Sequence, residues 1–128
     1  MEEYIKALKS LSEQTRIRIL ALLHQTREVC VSDIVNALEE SQYKVSRHLK
    51  VLQDAGMVKG SKKGRWIYYQ LDENQVRFQK MLLEAVKDIS SDIINNDLER
   101  LQKRLGKDLN NFCKNGKTEI YQESYQEQ

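Results

Sequence analysis

Five polar side chains on one short stretch, Gln42, Tyr43, Ser46, Arg47 and Lys50, are of the types that read and hold DNA. At about 100° per residue, Tyr43, Ser46, Arg47 and Lys50 share one side of a helix, with Gln42 at its edge. Amide, hydroxyl and guanidinium together supply the donors and acceptors that distinguish base edges in a major groove. A cationic cluster follows at Lys62, Lys63 and Arg65, suited to phosphates or an adjacent minor groove. A second chemistry resides in Cys30 and Cys113, 83 positions apart. Cys30 precedes a helix expected to start near Ser32, where backbone N–H groups favour a thiolate. The bland counterparts are a solvated helix face, an ordinary basic hairpin and a cysteine acting as a small hydrophobe.

These residues need elements to hold them. Val45, Leu49 and Leu52 fall at i, i+4 and i+7 on the opposite side of the same helix, predicting an apolar stripe that faces a core. Ser41 is its expected N-cap and Gly56 its expected stop. Upstream, residues 3–9 predict a short helix, with Tyr4, Ile5 and Leu8 as its apolar side. Ser12 is expected to cap a central helix burying Ile17, Ile19, Leu20, Leu22 and Leu23, with Arg16 and Arg18 outward and His24 in its last turn. REVCV predicts a brief extended piece. SDIVNALEE predicts a short helix opened by Ser32 and Asp33, separated from the polar-faced helix only by a tight turn. After Gly56, VKGSKKGRWIYYQL predicts a β-hairpin with its turn at Lys62-Lys63-Gly64.

Asp72 with Gln75 has the form of a capping box opening one long helix, residues 73 to about 105. Its apolar residues recur at 82, 86, 89 and 93, then at 94, 98, 101 and 105, with a one-residue shift between the two series. Such a rod, about 50 Å at 1.5 Å per residue, outruns a domain of this size. A second copy of the same helix is the expected partner. The chain therefore divides into a domain at 1–105 and a polar tail at 106–128.

Charge separates the function classes. Ser41–Arg65 carries seven basic residues and one acid, a net +6, leaving −4 for the rest of a 128-residue chain whose formal charge is +2. A basic block within a mildly acidic chain is the footprint of a phosphate-binding surface. With 40% hydrophobic and 31% charged residues, no membrane-length apolar run and an acidic, polar N-terminus, a soluble cytoplasmic protein is expected. An enzyme fits poorly, because the sequence has no phosphate-cradling glycine loop, paired histidine ligands or Ser/His/Asp set. His48 reads as structural or DNA-proximal.

LSEQTRIRILALL, EVCVSDIVNAL, SQYKVSRHLKVLQDAGMV and GRWIYYQL, in that order and without gaps from about Leu8 to Leu71, resemble the four blocks of ArsR-type (ArsR/SmtB) winged helix-turn-helix transcriptional repressors. The resemblance implies a mainly α fold with a small β-hairpin, and a homodimer packed through its terminal helices. It implies occupancy of an inverted-repeat operator in double-stranded DNA, with release when an inducer binds. It marks Gln42, Tyr43, Ser46 and Arg47 as base-reading residues, and Lys62, Lys63 and Arg65 as contacts of the wing.

Departures from the family pattern bear on the inducer. Arsenite-sensing members often carry ELCVCDL; here the block reads EVCVSDI, so Cys30 matches the first thiol while Ser32 replaces the second. One thiolate makes a poor soft-metal site. The long helix has no histidine, so the family's zinc site at the dimer helices is absent. Two thiol-directed readings remain open. Cys30 and Cys113 bridge through a disulfide or polysulfide in response to sulfide or oxidants, or they hold As(III) or another thiophilic ion. A winged-helix protein-interaction module, or a repressor without a small-molecule cue, are the alternatives; salt-dependent DNA binding separates the module from the repressor.

Overall fold

The computed structural model describes residues 1–72, 76–107 and 119–120. Ten elements follow one another: α1 (Glu2–Ser10), α2 (Gln14–His24), β1 (Thr26–Cys30), α3 (Val31–Leu38), α4 (Gln42–Asp54), β2 (Val58–Lys63), β3 (Trp66–Leu71), α5 (Arg77–Lys87), α6 (Asp92–Lys107) and β4 (Glu119–Ile120). The expected mainly α architecture with a small hairpin is what forms. β2 and β3 pair antiparallel from Val58↔Leu71 to Lys63↔Trp66, β1 pairs with β3, and β4 lies along the other edge of β1.

The core gathers around α2. Ile19, Leu20, Leu22 and Leu23 meet Ile34 and Leu38 of α3, Val45, Leu49 and Leu52 of α4, Leu83 and Val86 of α5, and Leu101 of α6. Each fully buried aliphatic side chain contributes roughly 1.5–3 kcal/mol relative to exposure. The α4 stripe is thus spent on holding that helix from behind.

Local chemistry sets the boundaries. The Ser41 Oγ accepts the Lys44 N–H at 3.1 Å, making the expected N-cap of α4. At the other end Gly56 takes φ +75°, its N–H donates to the Gln53 carbonyl, and the Met57 N–H donates to the Leu52 carbonyl, both at 3.0 Å. That is a Schellman closure, with Met57 and Leu52 supplying its buried apolar contact. Between α3 and α4, Glu39 occupies the left-handed region at φ 55°, an uncommon conformation for a side-chain-bearing residue.

Five boundaries differ from those read in the sequence. The N-cap of α2 is Glu13, whose carboxylate accepts the Arg16 N–H, while Ser12 donates back to the Lys9 carbonyl. α3 begins at Val31 with Cys30 as its N-cap residue. The wing turns at Gly64-Arg65, one residue later than expected, because the positive φ of 64° belongs to Gly64 and the register pairs Lys63 with Trp66. The rod expected over 73–105 is two helices, interrupted at residues 88–91. There the Ser91 hydroxyl accepts the Ile93 N–H, so a new N-terminus outcompetes continuation of the old helix. Gln75, the expected capping partner of Asp72, lies outside the described residues. α6 extends to Lys107, past the expected start of the tail, and Glu119–Ile120 of that tail forms the short β4.

Candidate nucleic-acid interface

With Val45, Leu49 and Leu52 turned inward, α4 leaves Gln42, Tyr43, Ser46, Arg47 and Lys50 all exposed on its outer side. Tyr43 is 76% exposed, and the Arg47 guanidinium lies 5.7 Å from its ring centroid, a cation–π contact that orders both. Lys50 is near Asp54 at 3.9 Å across one turn. Lys44 is held by Glu40 at 2.8 Å, and that hydrogen bond is the main reason the Glu40 carboxyl sits below its usual pKa.

The hairpin carries Lys62, Lys63 and Arg65, all exposed. Arg65 lies over the Trp66 ring at 5.4 Å. Lys63 is engaged within the molecule: its ammonium pairs with Glu28 of β1, which also accepts from Ser61 at 3.3 Å, and it stands 5.2 Å from the Tyr68 ring centroid. Among the three wing cations, Lys63 is therefore drawn back onto the sheet.

Cys30 lies at the junction of β1 and α3, 1% exposed, against Tyr68 and Trp66. It is disulfide-bonded, and the Ser32 hydroxyl stands 3.3 Å from its sulfur. Cys113 lies outside the described residues. Among the described residues no group of three His, Cys, Asp or Glu side chains could hold a metal ion, and Ser32 offers the Cys30 sulfur a hydroxyl where a thiol would be needed. The described donor set thus fits a soft ion poorly.

Two sets of side chains that position this surface were not read from the sequence. His48, expected at the edge of the apolar stripe, is buried and hydrogen-bonded to Arg16 at 3.1 Å. Arg18, expected to face outward, is turned inward onto Asp97 of α6 and the Leu38 carbonyl. The charge of both arginines disguised them. The available signal was their place beside Ile17 and Ile19 in the most apolar helix of the chain. His24 ends α2 as expected, and its Nε2 donates to the Leu83 carbonyl of α5 at 2.7 Å.

Comparison with known proteins places this geometry. Residues 6–59 match the family described as bacterial regulatory protein, arsR family. The chain is 37% identical over 93 residues to the arsenic resistance transcriptional regulator ArsR1 of Pseudomonas putida, covering 73% of each chain. It is 42% identical over 67 residues to the arsenical resistance operon repressor of Escherichia coli, which spans 52% of this chain and 57% of that one. Among solved structures, HlyU from Vibrio cholerae shares the fold with TM-score 0.56 and 28% identity, covering 66% of this chain and 88% of that one. No helix among the described residues is long and apolar enough to cross a membrane. The helix-turn-helix, the hairpin that follows it and these relatives agree: the chain belongs to the ArsR family of DNA-binding transcriptional regulators, not to an enzyme family.

Proposed function

We propose that this regulator represses transcription as a homodimer on an inverted-repeat operator, and that a thiol-directed signal at Cys30 and Cys113 releases it. The observation that carries the DNA reading is the outer face of α4, where Gln42, Tyr43, Ser46, Arg47 and Lys50 stand exposed on a helix fixed by a buried opposite stripe. Base contacts belong to the first four. Lys50, Lys62 and Arg65, with Lys63 once it leaves Glu28, supply phosphate contacts.

The dimer reading is supported by apolar residues left exposed. Tyr4, Ile5 and Leu8 on α1, Met81 on α5, and Ile89 and Ile93 at the α5–α6 break are all more than 40% exposed. Leu82 and Val86, two other members of the stripe read in the sequence, instead pack into the protomer's own core. The partner is a second copy, seated on α1 and the outer edge of α5.

Three observations support the thiol reading. Cys30 is disulfide-bonded, it stands at the N-cap position of α3, and the last turns of α6 lie beside that helix through an Arg104–Asp33 hydrogen bond of 2.8 Å. The segment carrying Cys113 therefore departs from a helix anchored next to Cys30. Oxidation or sulfide chemistry is favoured over As(III), because Ser32 replaces a thiol. The arsenic-linked names of the relatives keep As(III) as the second reading.

The test begins with a random 30-base-pair duplex pool enriched by the protein after its disulfide has been reduced and the reductant removed. Release of the enriched duplex by polysulfide, peroxide or arsenite is then measured by fluorescence anisotropy for the native chain, Cys30→Ser and Cys113→Ser. Release by polysulfide or peroxide that each substitution abolishes is the expected result. Release that survives both places the switch elsewhere, and arsenite alone being effective selects the second reading. Failure to enrich any sequence removes the DNA reading itself.

A further inference from the structure

Arg16 joins three helices through one guanidinium. Its Nε donates to the Ser10 carbonyl at 2.8 Å and one terminal nitrogen to the Lys9 carbonyl at 3.2 Å, two carbonyls at the end of α1. The Lys9 carbonyl also accepts from the Ser12 N–H at 3.1 Å and the Ser12 hydroxyl at 2.7 Å, as carbonyls in the last turn of a helix take donors from outside it. Its other terminal nitrogen lies 3.1 Å from Nδ1 of His48 on α4. A guanidinium only donates, so Nδ1 must offer its lone pair, and the neutral ring carries its proton on Nε2. That nitrogen faces Glu13 at 3.8 Å.

His48 directly follows Arg47 and Ser46, yet it is only 6% exposed while they are open to solvent. Rotation of α4 about its own axis would change the aim of the reading face and the position of His48 together. The charged groups facing His48 are Glu13 ahead of α2, Arg16 on α2, Glu40 in the turn before α4, and Lys44 and Arg47 on α4 itself. α1 faces the cluster with the Lys9 and Ser10 carbonyls that Arg16 occupies.

We propose that Arg16 and His48 are a positioning pair for DNA reading: neutral His48 accepts from Arg16 and holds α4 in its reading orientation, and protonation of His48 releases it. The proton comes from solvent and adds to Nδ1. An acceptor thereby becomes a donor pointed at a donor, and two like charges stand where a hydrogen bond was. Burial, helped by Arg16, Arg47 and Lys44 and opposed by Glu13, keeps the ring neutral to below the ordinary histidine range, so the pair is intact at neutral pH. The pair rests on the DNA-reading role of α4 given above. An added positive charge also favours DNA of any sequence, so the informative quantity is the ratio of affinities for the enriched duplex and a scrambled one.

The experiment measures that ratio between pH 7.5 and 5.0 at fixed salt, for the native chain and for His48→Asn, whose amide oxygen offers a non-titrating acceptor. If only the neutral form reads sequence, the native ratio falls about tenfold per pH unit for each protomer that reads the duplex, below the folded-state pKa of His48. The ratio for His48→Asn should stay level. A parallel fall in both proteins, or a level ratio in the native chain, overturns the proposal. Nitrogen-15 shifts of the His48 ring in the free native protein need no variant. They should show the Nε2–H tautomer at pH 7.5 and titrate in step with the ratio; the Nδ1–H tautomer overturns the proposal. A protein that enriches no duplex at all overturns the DNA reading and this pair with it, a result distinct from a level ratio on an enriched duplex.

Discussion

Asp97 of α6 and Arg18 of α2, 79 residues apart in sequence, share two hydrogen bonds of 2.8 and 2.9 Å, one to each carboxylate oxygen. The Asp97 side chain is 1% exposed and also accepts from Arg100 at 2.8 Å. Each arginine also donates to a carbonyl near the end of α3: Arg18 to Leu38 through the same Nη2 that meets Asp97, and Arg100 to Ala37 through its Nε. One carboxylate thus anchors two guanidinium groups, and through them fastens the C-terminal helix to the helix-turn-helix.

Removing that carboxylate leaves the buried Arg18 with only Glu40, 3.8 Å away, as counter-charge. Breaking a buried pair from one side typically costs about 3–5 kcal/mol. Asp97→Ala is expected to lose stability on that scale in urea unfolding at pH 7, and hydrogen exchange should show α6 opening first. An unfolding midpoint within error of the native chain would show that α6 is held by apolar contacts alone.

Arg47→Ala and Lys62→Gln should weaken DNA binding in different ways. A bidentate base contact carries about 1–3 kcal/mol of discrimination, so Arg47→Ala should lose that much on the enriched duplex and far less on scrambled DNA. Lys62→Gln should weaken both duplexes alike and lower the slope of log affinity against log salt by about one. Titrations at three salt concentrations distinguish these patterns.

Ile89→Asp places a charge on the apolar surface at the end of α5, where Ile89 is 42% exposed. A site that is open in the protomer and covered in the dimer predicts a folded but dissociated protein, and sedimentation velocity reads this directly. Unchanged dimer mass would move the interface away from this surface.

His24 gives the stability curve a defined acid limb. Its Nε2 donates to the Leu83 carbonyl, and burial holds its pKa below 6.5, with Lys87 adding to the effect and the Leu83 bond and Glu84 opposing it. The unfolded chain therefore binds the proton more readily than the folded one. The contribution to stability is complete above about pH 6.5 and is lost as pH falls from there through the folded-state value. His48 acts in the same direction. Urea midpoints measured from pH 7.5 to 5.0 should fall in that window, and less steeply in His24→Gln.

The apolar stripe of α4, its two ends and the wing were legible because each rests on short-range chemistry: a period of 3.6 residues, a hydroxyl cap, a glycine at positive φ. Arg18 and Asp97 were not, since a charge in an amphipathic pattern reads as solvent-facing until its counter-charge, 79 positions away, is known to be near. The break between α5 and α6 did leave a trace, in the one-residue slip from 93 to 94. Apolar spacing alone does not say whether such a slip is absorbed by a partner helix or by a new N-terminus at Ser91. The exposed face of α4 matched the residues expected there, whereas the tie between His48 and Arg16 depends on how α1, α2 and α4 converge.

That same break also decides how the chain tolerates changes in length. In one continuous helix each inserted residue rotates everything downstream by about 100° and carries it 1.5 Å along the axis. Here α5 takes its angular setting from Leu83 and Val86, and α6 takes its own from Asp97 and Leu101. Residues 88–91 lie between two independently fixed registers, so one residue more or fewer at that point leaves the contacts of both helices in place. An equal change within α6, between Asp97 and Arg104, would turn one anchor away from its partner.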